Sequence, residues 1–148
     1  MAGLALGLLG AALTAAVLLV GRPLIIAAYT DDLEVAAVAA SLLAIIPLFH
    51  LCDSMQCINS YLLRAHKVAV MPLVLQTVAL GSVGLLGGWW LGFGPGRGGL
   101  DPVRAALMPG SPAGAGTMWL MAMAGLGLSA VLLHYWYRRI ARLALARG

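Results

Sequence analysis

His50, Asp53 and Gln56 stand three residues apart in the stretch "FHLCDSMQCINSYLLR" (49–64), with Ser60 and Arg64 further along. On a helix turning 100° per residue these five fall within an arc of about 120°, so they line one face. Asp53 is the only acid in any of the long apolar segments of the chain. A carboxylate in such a setting is a group that could trade a proton or a sodium ion, and a histidine one turn away could share that proton or hydrogen-bond it. Holding the charge in the hydrocarbon costs at least about 2.5–3.5 kcal/mol. The side chain is too short to reach the interface from roughly 6 Å off the bilayer centre. The bland alternative is an Asp53 that is protonated or hydrogen-bonded to His50 or Gln56 and glues two helices together. Because ionisable groups inside a membrane mark functional sites by default, Asp53 is taken as the cation-binding candidate, with His50 and Gln56 as a supporting polar face.

The elements that must position this face are membrane spans. Of 148 residues, 62% are hydrophobic and only 9% charged, with a mean hydropathy of +0.98, whereas soluble domains carry near a quarter charged residues. The charges gather in short clusters and leave apolar runs of the roughly 20 residues that a helix needs to cross a bilayer. The sequence therefore predicts an all-α integral membrane protein, a single membrane domain over 1–148 with four transmembrane helices at about 2–20, 35–63, 68–93 and 115–137. The first run has no basic n-region and is longer than a signal-peptide core, so it reads as a span and not as a cleaved leader.

Local signals mark the joints. "GRP" (21–23) closes the first span, and Thr30 or Asp31 is expected to cap the second, with Asp32 and Glu34 near its positive end. Pro47 removes a backbone donor inside the second span and predicts a kink. Glycines interrupt the third, and Trp89 and Trp90 near its end suit an interface. The Gly- and Pro-rich stretch 94–114 predicts an aqueous loop with a short surface helix at 102–108. Met55, Met71, Met118, Met121 and Met123 read as packing or lipid contacts.

Other chemistries are set aside. The net charge of +4 comes largely from residues flanking apolar segments, which leaves no basic domain for nucleic acid. Cys52 and Cys57 are about 7.5 Å apart along one helix axis, too far to pair, and lack metal-ligand spacing. No phosphate loop, metal motif or Ser/His/Asp arrangement stands out, so the reading is no enzyme, no metal and no cofactor beyond a coupling ion. Arg64, Lys67, Arg138, Arg139, Arg142 and Arg147 would lie on one side of the membrane, against Arg22, Arg97 and Arg104 on the other. The positive-inside rule makes the first side cytoplasmic, with both termini inside a multi-pass protein of the cell membrane, the inner one in a Gram-negative cell.

The stretch from Arg22 to Pro72 resembles the part of NorM-like multidrug and toxic compound extrusion (MATE) transporters that leads from the ninth helix into the tenth. There an arginine and "LYT-D-x-x-V" precede a helix with "D-x-x-Q", then "LRG" and a proline. The matching residues are Arg22, Tyr29, Thr30, Asp32, Val35, Asp53, Gln56, Leu63, Arg64 and Pro72. "GLLGGWWLGF" (84–93) is similar to the family's "GLPLGYWLGF" in the eleventh helix, and "GAGTMW" (114–119) to the opening of the twelfth. Three positions depart from the pattern: Phe49 where a tyrosine is frequent, Ala65 in place of the glycine after "LR", and Leu86 in place of a proline.

The resemblance implies a cation-coupled antiporter of drugs and organic cations, with sodium or a proton as coupling ion and two six-helix lobes that alternate access. It implies that the chain is part of the C-terminal lobe, about the C-terminal third, and that its partners are the lipid bilayer, the exported compounds and the missing N-terminal part. It further implies that Asp53 belongs to the cation site of that lobe. Such a fragment is expected to be inactive alone. The competing expectation is a stand-alone four-helix membrane protein with a structural or assembly role, drawn from the small-residue faces of the first and third helices.

Overall fold

Backbone polar groups in a membrane must be satisfied within their own segment, and the chain answers with helices throughout. The computed structural model describes residues 2–145, with side chains from 5 to 144, and among these residues there is no strand. Helix α1 is Ala2–Tyr29, α2 is Leu33–Leu43, α3 is Ile46–Ala65 and α4 is Val70–Val78. A π-helical segment, Ala79–Gly87, continues α4 into α5 (Gly88–Gly92); α6 is Asp101–Leu107 and α7 is Ala113–Leu145. Three helical stretches are long and apolar enough to cross a membrane, and α2 with α3, bent by 45° at their junction, supplies a fourth.

Several boundaries differ from the sequence expectation. The first helix does not stop at 20 but runs through Pro23 to Tyr29. Proline deletes one donor, and breaking the helix in an apolar setting would leave more groups unpaired than continuing it. The last helix extends past 137 to Leu145, because "RRIARLAL" contains good helix formers and neither glycine nor proline. The kink of the second span comes as a full break at Ala44 and Ile45, with Pro47 in the first turn of α3, where its missing N–H costs nothing. The cap of α2 is Asp32, neither Thr30 nor Asp31: its carboxylate accepts from the backbone N–H of Glu34 (2.8 Å) and Val35 (3.3 Å). Thr30 serves one step earlier, its hydroxyl accepting from the N–H of Asp32 at 3.1 Å.

Four spans pack as a row. α3 lies between α1 and α7, and α7 lies between α3 and the span built from α4, the π segment and α5. Gly7 abuts the Ile58 side chain, so α1 runs antiparallel to α3. Phe49 meets Trp119, Cys52 comes near Gly127 and Asn59 meets His134, so α3 and α7 run parallel. The third span approaches α7 through glycines: a Cβ on Gly88 would lie 2.8 Å from Met118 Sδ, and one on Gly125 only 3.1 Å from the Ala79 carbonyl oxygen and the Gly84 nitrogen. Close backbone approach through small residues is how membrane helices gain packing without a hydrophobic driving force.

The segment between the third and fourth spans is ordered by packing and by one arginine. Met108 is fully buried against Ile45 and Leu120. Arg104 pairs with Asp101 at 3.2 Å and donates to the backbone carbonyl and the hydroxyl of Ser111. Gly98 and Gly110 take the left-handed turn conformation, with φ of 90° and 79°, that glycine adopts without steric cost.

Candidate functional site

α3 carries the polar face, and its environment changes along the helix. His50 and Asp53 are half-buried, Gln56 and Ser60 are buried, and Arg64 is exposed. Asp53 is the eighth residue of α3, about 10 Å from the bend and about 18 Å from the helix end. Among the described residues it makes no ion pair and no side-chain hydrogen bond, either to His50 or to Gln56. Gln56 is buried with its Oε1 unpartnered. His50, Asp53 and Gln56 are thus brought onto successive turns of one element, but nothing ties the three to one another. The only salt bridge among the described residues is Arg104 to Asp101, and none of these residues forms a group able to hold a metal ion.

A second polar pair, which the stripe does not include, joins α3 to α7. Asn59 is fully buried; its Nδ2 donates to the Met55 carbonyl at 2.7 Å, and its Oδ1 lies 3.1 Å from His134 Nδ1. A backbone carbonyl can only accept, which fixes the amide orientation and leaves Oδ1 to accept from the imidazole. His134 therefore carries its proton on Nδ1. The sequence signal was available: Asn59 follows Gln56 by three residues. His134, however, stands at the head of "HYWYRR", where the aromatic and basic residues dominate the reading.

The aromatic neighbours of the site are settled by packing. Phe49 meets Trp119 edge to face with ring centroids 5.5 Å apart, which anchors the start of α3 to α7 four residues before Asp53. Between α1 and α2 opens a cavity of about 670 Å³ lined by residues that include Arg22, Thr30 and Asp31.

Sequence comparison gives this geometry its relatives. The chain is 35% identical over 129 residues to a probable multidrug resistance protein NorM of Xylella fastidiosa, covering 87% of the chain and 24% of that protein. A probable NorM of Xanthomonas axonopodis is 33% identical over 95% of the chain and 27% of its own length. The multidrug resistance protein MdtK of Proteus mirabilis is 31% identical over 92% of the chain and 28% of its length. The chain belongs to the NorM-like branch of the MATE family. It spans about a sixth to a quarter of the length of these curated relatives. No family model matches it, and no solved structure does.

Within the family the departures gain a structural setting. Phe49, where a tyrosine is frequent, spends its ring on Trp119. Leu86, in place of a proline, is 64% exposed on the π segment. Ala65 closes α3, and the left-handed residue of the turn that follows is Lys67, with φ of 63°.

Proposed function

We propose that these spans are part of a cation-coupled antiporter that exports drugs and organic cations, in which Asp53 takes up the driving proton or sodium ion. The observation that carries the reading is Asp53 itself: an acid within a span, half-buried, with no ion-pair partner among the described residues. The names of the relatives, multidrug resistance proteins, support export of drugs as the task.

An unneutralised carboxylate in a low-dielectric setting attracts any cation that reaches it. A proton or sodium ion and a cationic drug then compete for the same charge. Binding of the ion on one side releases the drug, and loss of the ion on the other side restores the attraction. His50, one turn away, is placed to hydrogen-bond the carboxyl group, and Gln56 offers an amide with an unused acceptor. Four spans in a row do not enclose a two-sided cleft, so the antiport is assigned to the chain together with the remaining helices of a larger transporter. Both termini are placed on the cytoplasmic side by the balance of Lys and Arg.

The test is Asp53→Asn in the complete transporter, read as ethidium efflux from loaded right-side-out membrane vesicles energised in turn by a proton and a sodium gradient. Normal expression with efflux reduced at least tenfold, to the level of empty vesicles, is the expected outcome. Efflux that persists unchanged would overturn the role of Asp53. The competing structural reading drew on the small-residue faces of the first and third helices. In the third, Gly84, Gly87, Gly88 and Gly92 are packed within the chain against α7, and Gly81 meets nothing.

A further inference from the structure

The C-terminal part of α7 presents a stripe that no other element among the described residues covers. Leu128, Val131, Tyr135, Arg138 and Arg142 recur at alternating intervals of three and four residues, and all are exposed: Val131 and Tyr135 each by 66%. The stripe lies to the side of the α7 surfaces used against α3, through Gly127 and His134, and against the third span, through Met121 and Gly125. It therefore faces outward. Tyr135, Arg138, Arg139 and Arg142 line a concavity of about 280 Å³, roughly nine water volumes. Arg139 also stacks over Trp136, its guanidinium carbon 5.6 Å from the ring centroid.

Among the described residues these arginines have no carboxylate to answer them. The rings of His66 and Tyr137 are 6.0 Å apart, so the ends of α3 and α7 meet, and Arg64 and Lys67 join the same end of the bundle. The acids of the described residues other than Asp53 are Asp31, Asp32 and Glu34 around the α1–α2 turn and Asp101 on α6, all at the opposite end. The compensating anion must come from outside the described residues. Its chemistry is constrained by what continues the cradle: from Leu128 to Arg138 is ten residues, about 15 Å, which is half of the roughly 30 Å hydrocarbon thickness of a bilayer. An apolar track of one-leaflet length that ends in a cationic cup fits an acyl chain with an anionic head.

We propose that this face of α7 is a binding site for an anionic phospholipid, with Arg138, Arg139 and Arg142 around its phosphate, the Tyr135 hydroxyl at its glycerol level and Val131 and Leu128 along an acyl chain. The site is independent of the role assigned to Asp53.

The test is native mass spectrometry of the full protein released from mild detergent with equimolar phosphatidylglycerol and phosphatidylcholine. Preferential retention of phosphatidylglycerol is expected. Arg138→Gln with Arg142→Gln should reduce it by about fivefold per cation removed, while Arg138→Lys with Arg142→Lys should keep most of it. Because removing charge can disturb insertion, Leu128→Ser with Val131→Ser, which leaves every arginine in place, should also weaken retention. Asp53→Asn should leave it unchanged. Equal retention of the two lipids, or no effect of either the glutamine or the serine pair, overturns the proposal. So does displacement of the lipid by millimolar inorganic phosphate, which would make the cup a site for free anions.

Discussion

A neutral histidine that donates from Nδ1 keeps a bare Nε2, and the amide of Asn59, fixed by the Met55 carbonyl, selects that tautomer for neutral His134. The expected outcome is a ¹⁵N spectrum with a protonated Nδ1 and an unprotonated Nε2 for neutral His134; the reverse pattern would dismantle the Asn59 contact. Asn59→Ala leaves the imidazole donor without its acceptor and should destabilise the protein by about 1–3 kcal/mol, read as a lowered midpoint of thermal unfolding in detergent. Lys67 is the opposite case. Its φ of 63° is a left-handed conformation that costs a side-chain-bearing residue roughly 1–2 kcal/mol, so Lys67→Gly should raise the midpoint. A lowered midpoint would show that the Lys67 side chain contributes more than the turn costs. Of the candidate site, Asp53 was legible from the sequence because a lone acid in an apolar run contrasts with everything near it. Asn59 showed only as one more polar residue a turn past Gln56, and its pairing with His134 was not legible, because it arises only from the parallel packing of α3 on α7.

At the scale of elements, the third span and α7 are locked by contacts that leave no room for a side chain. A Cβ on Gly125 would come within 3.1 Å of backbone atoms of Ala79 and Gly84, and backbone cannot step aside as the end of a methionine can. Gly125→Leu should separate the two elements, at a cost of about 1–3 kcal/mol or more, and abolish disulfide formation between cysteines placed at Gly84 and Ala122. Unimpaired crosslinking would refute the packing. Arg104 plays the corresponding part for the loop after the third span. Its charged hydrogen bonds to Ser111 are worth roughly 1.5–3 kcal/mol each where desolvated, and its pairing with the half-exposed Asp101 about 0.2–1 kcal/mol. Arg104→Ala should therefore accelerate amide exchange between residues 98 and 112, while exchange in α3 stays unchanged. The spans themselves were readable from apolar length. Their limits were not: whether a helix passes Pro23 depends on how many backbone groups a break would strand, and the late end of α7 depends on propensity in a stretch already past the apolar signal.

For the molecule as a whole, the row order α1, α3, α7 and third span leaves α7 more enclosed than α1 or the third span. With the bent pair α2–α3 counted as one span, the start of α1 and the end of α7 lie at the same end of the described helices. Alkaline phosphatase fused after 145 is expected to be inactive and a fusion in the loop near 98 active, the reverse pair contradicting the orientation drawn from the charges. The row order could not be read from the sequence, which marks faces but not which neighbour each face meets. The π-helical stretch from Ala79 to Gly87 adds a property of the span as a length. Its hydrogen bonds reach five residues back, so each turn takes up more chain than an α turn and the same nine residues advance less along the axis. The third span thus spends more chain per unit of depth along the very face that Ala79, Gly84 and Gly88 hold against α7. Rewinding those turns would lengthen the span and rotate Trp89 and Trp90 without adding a residue, but only by pulling Gly84, Gly88 and Gly92 off α7, so the packing sets the length with which this span meets the bilayer.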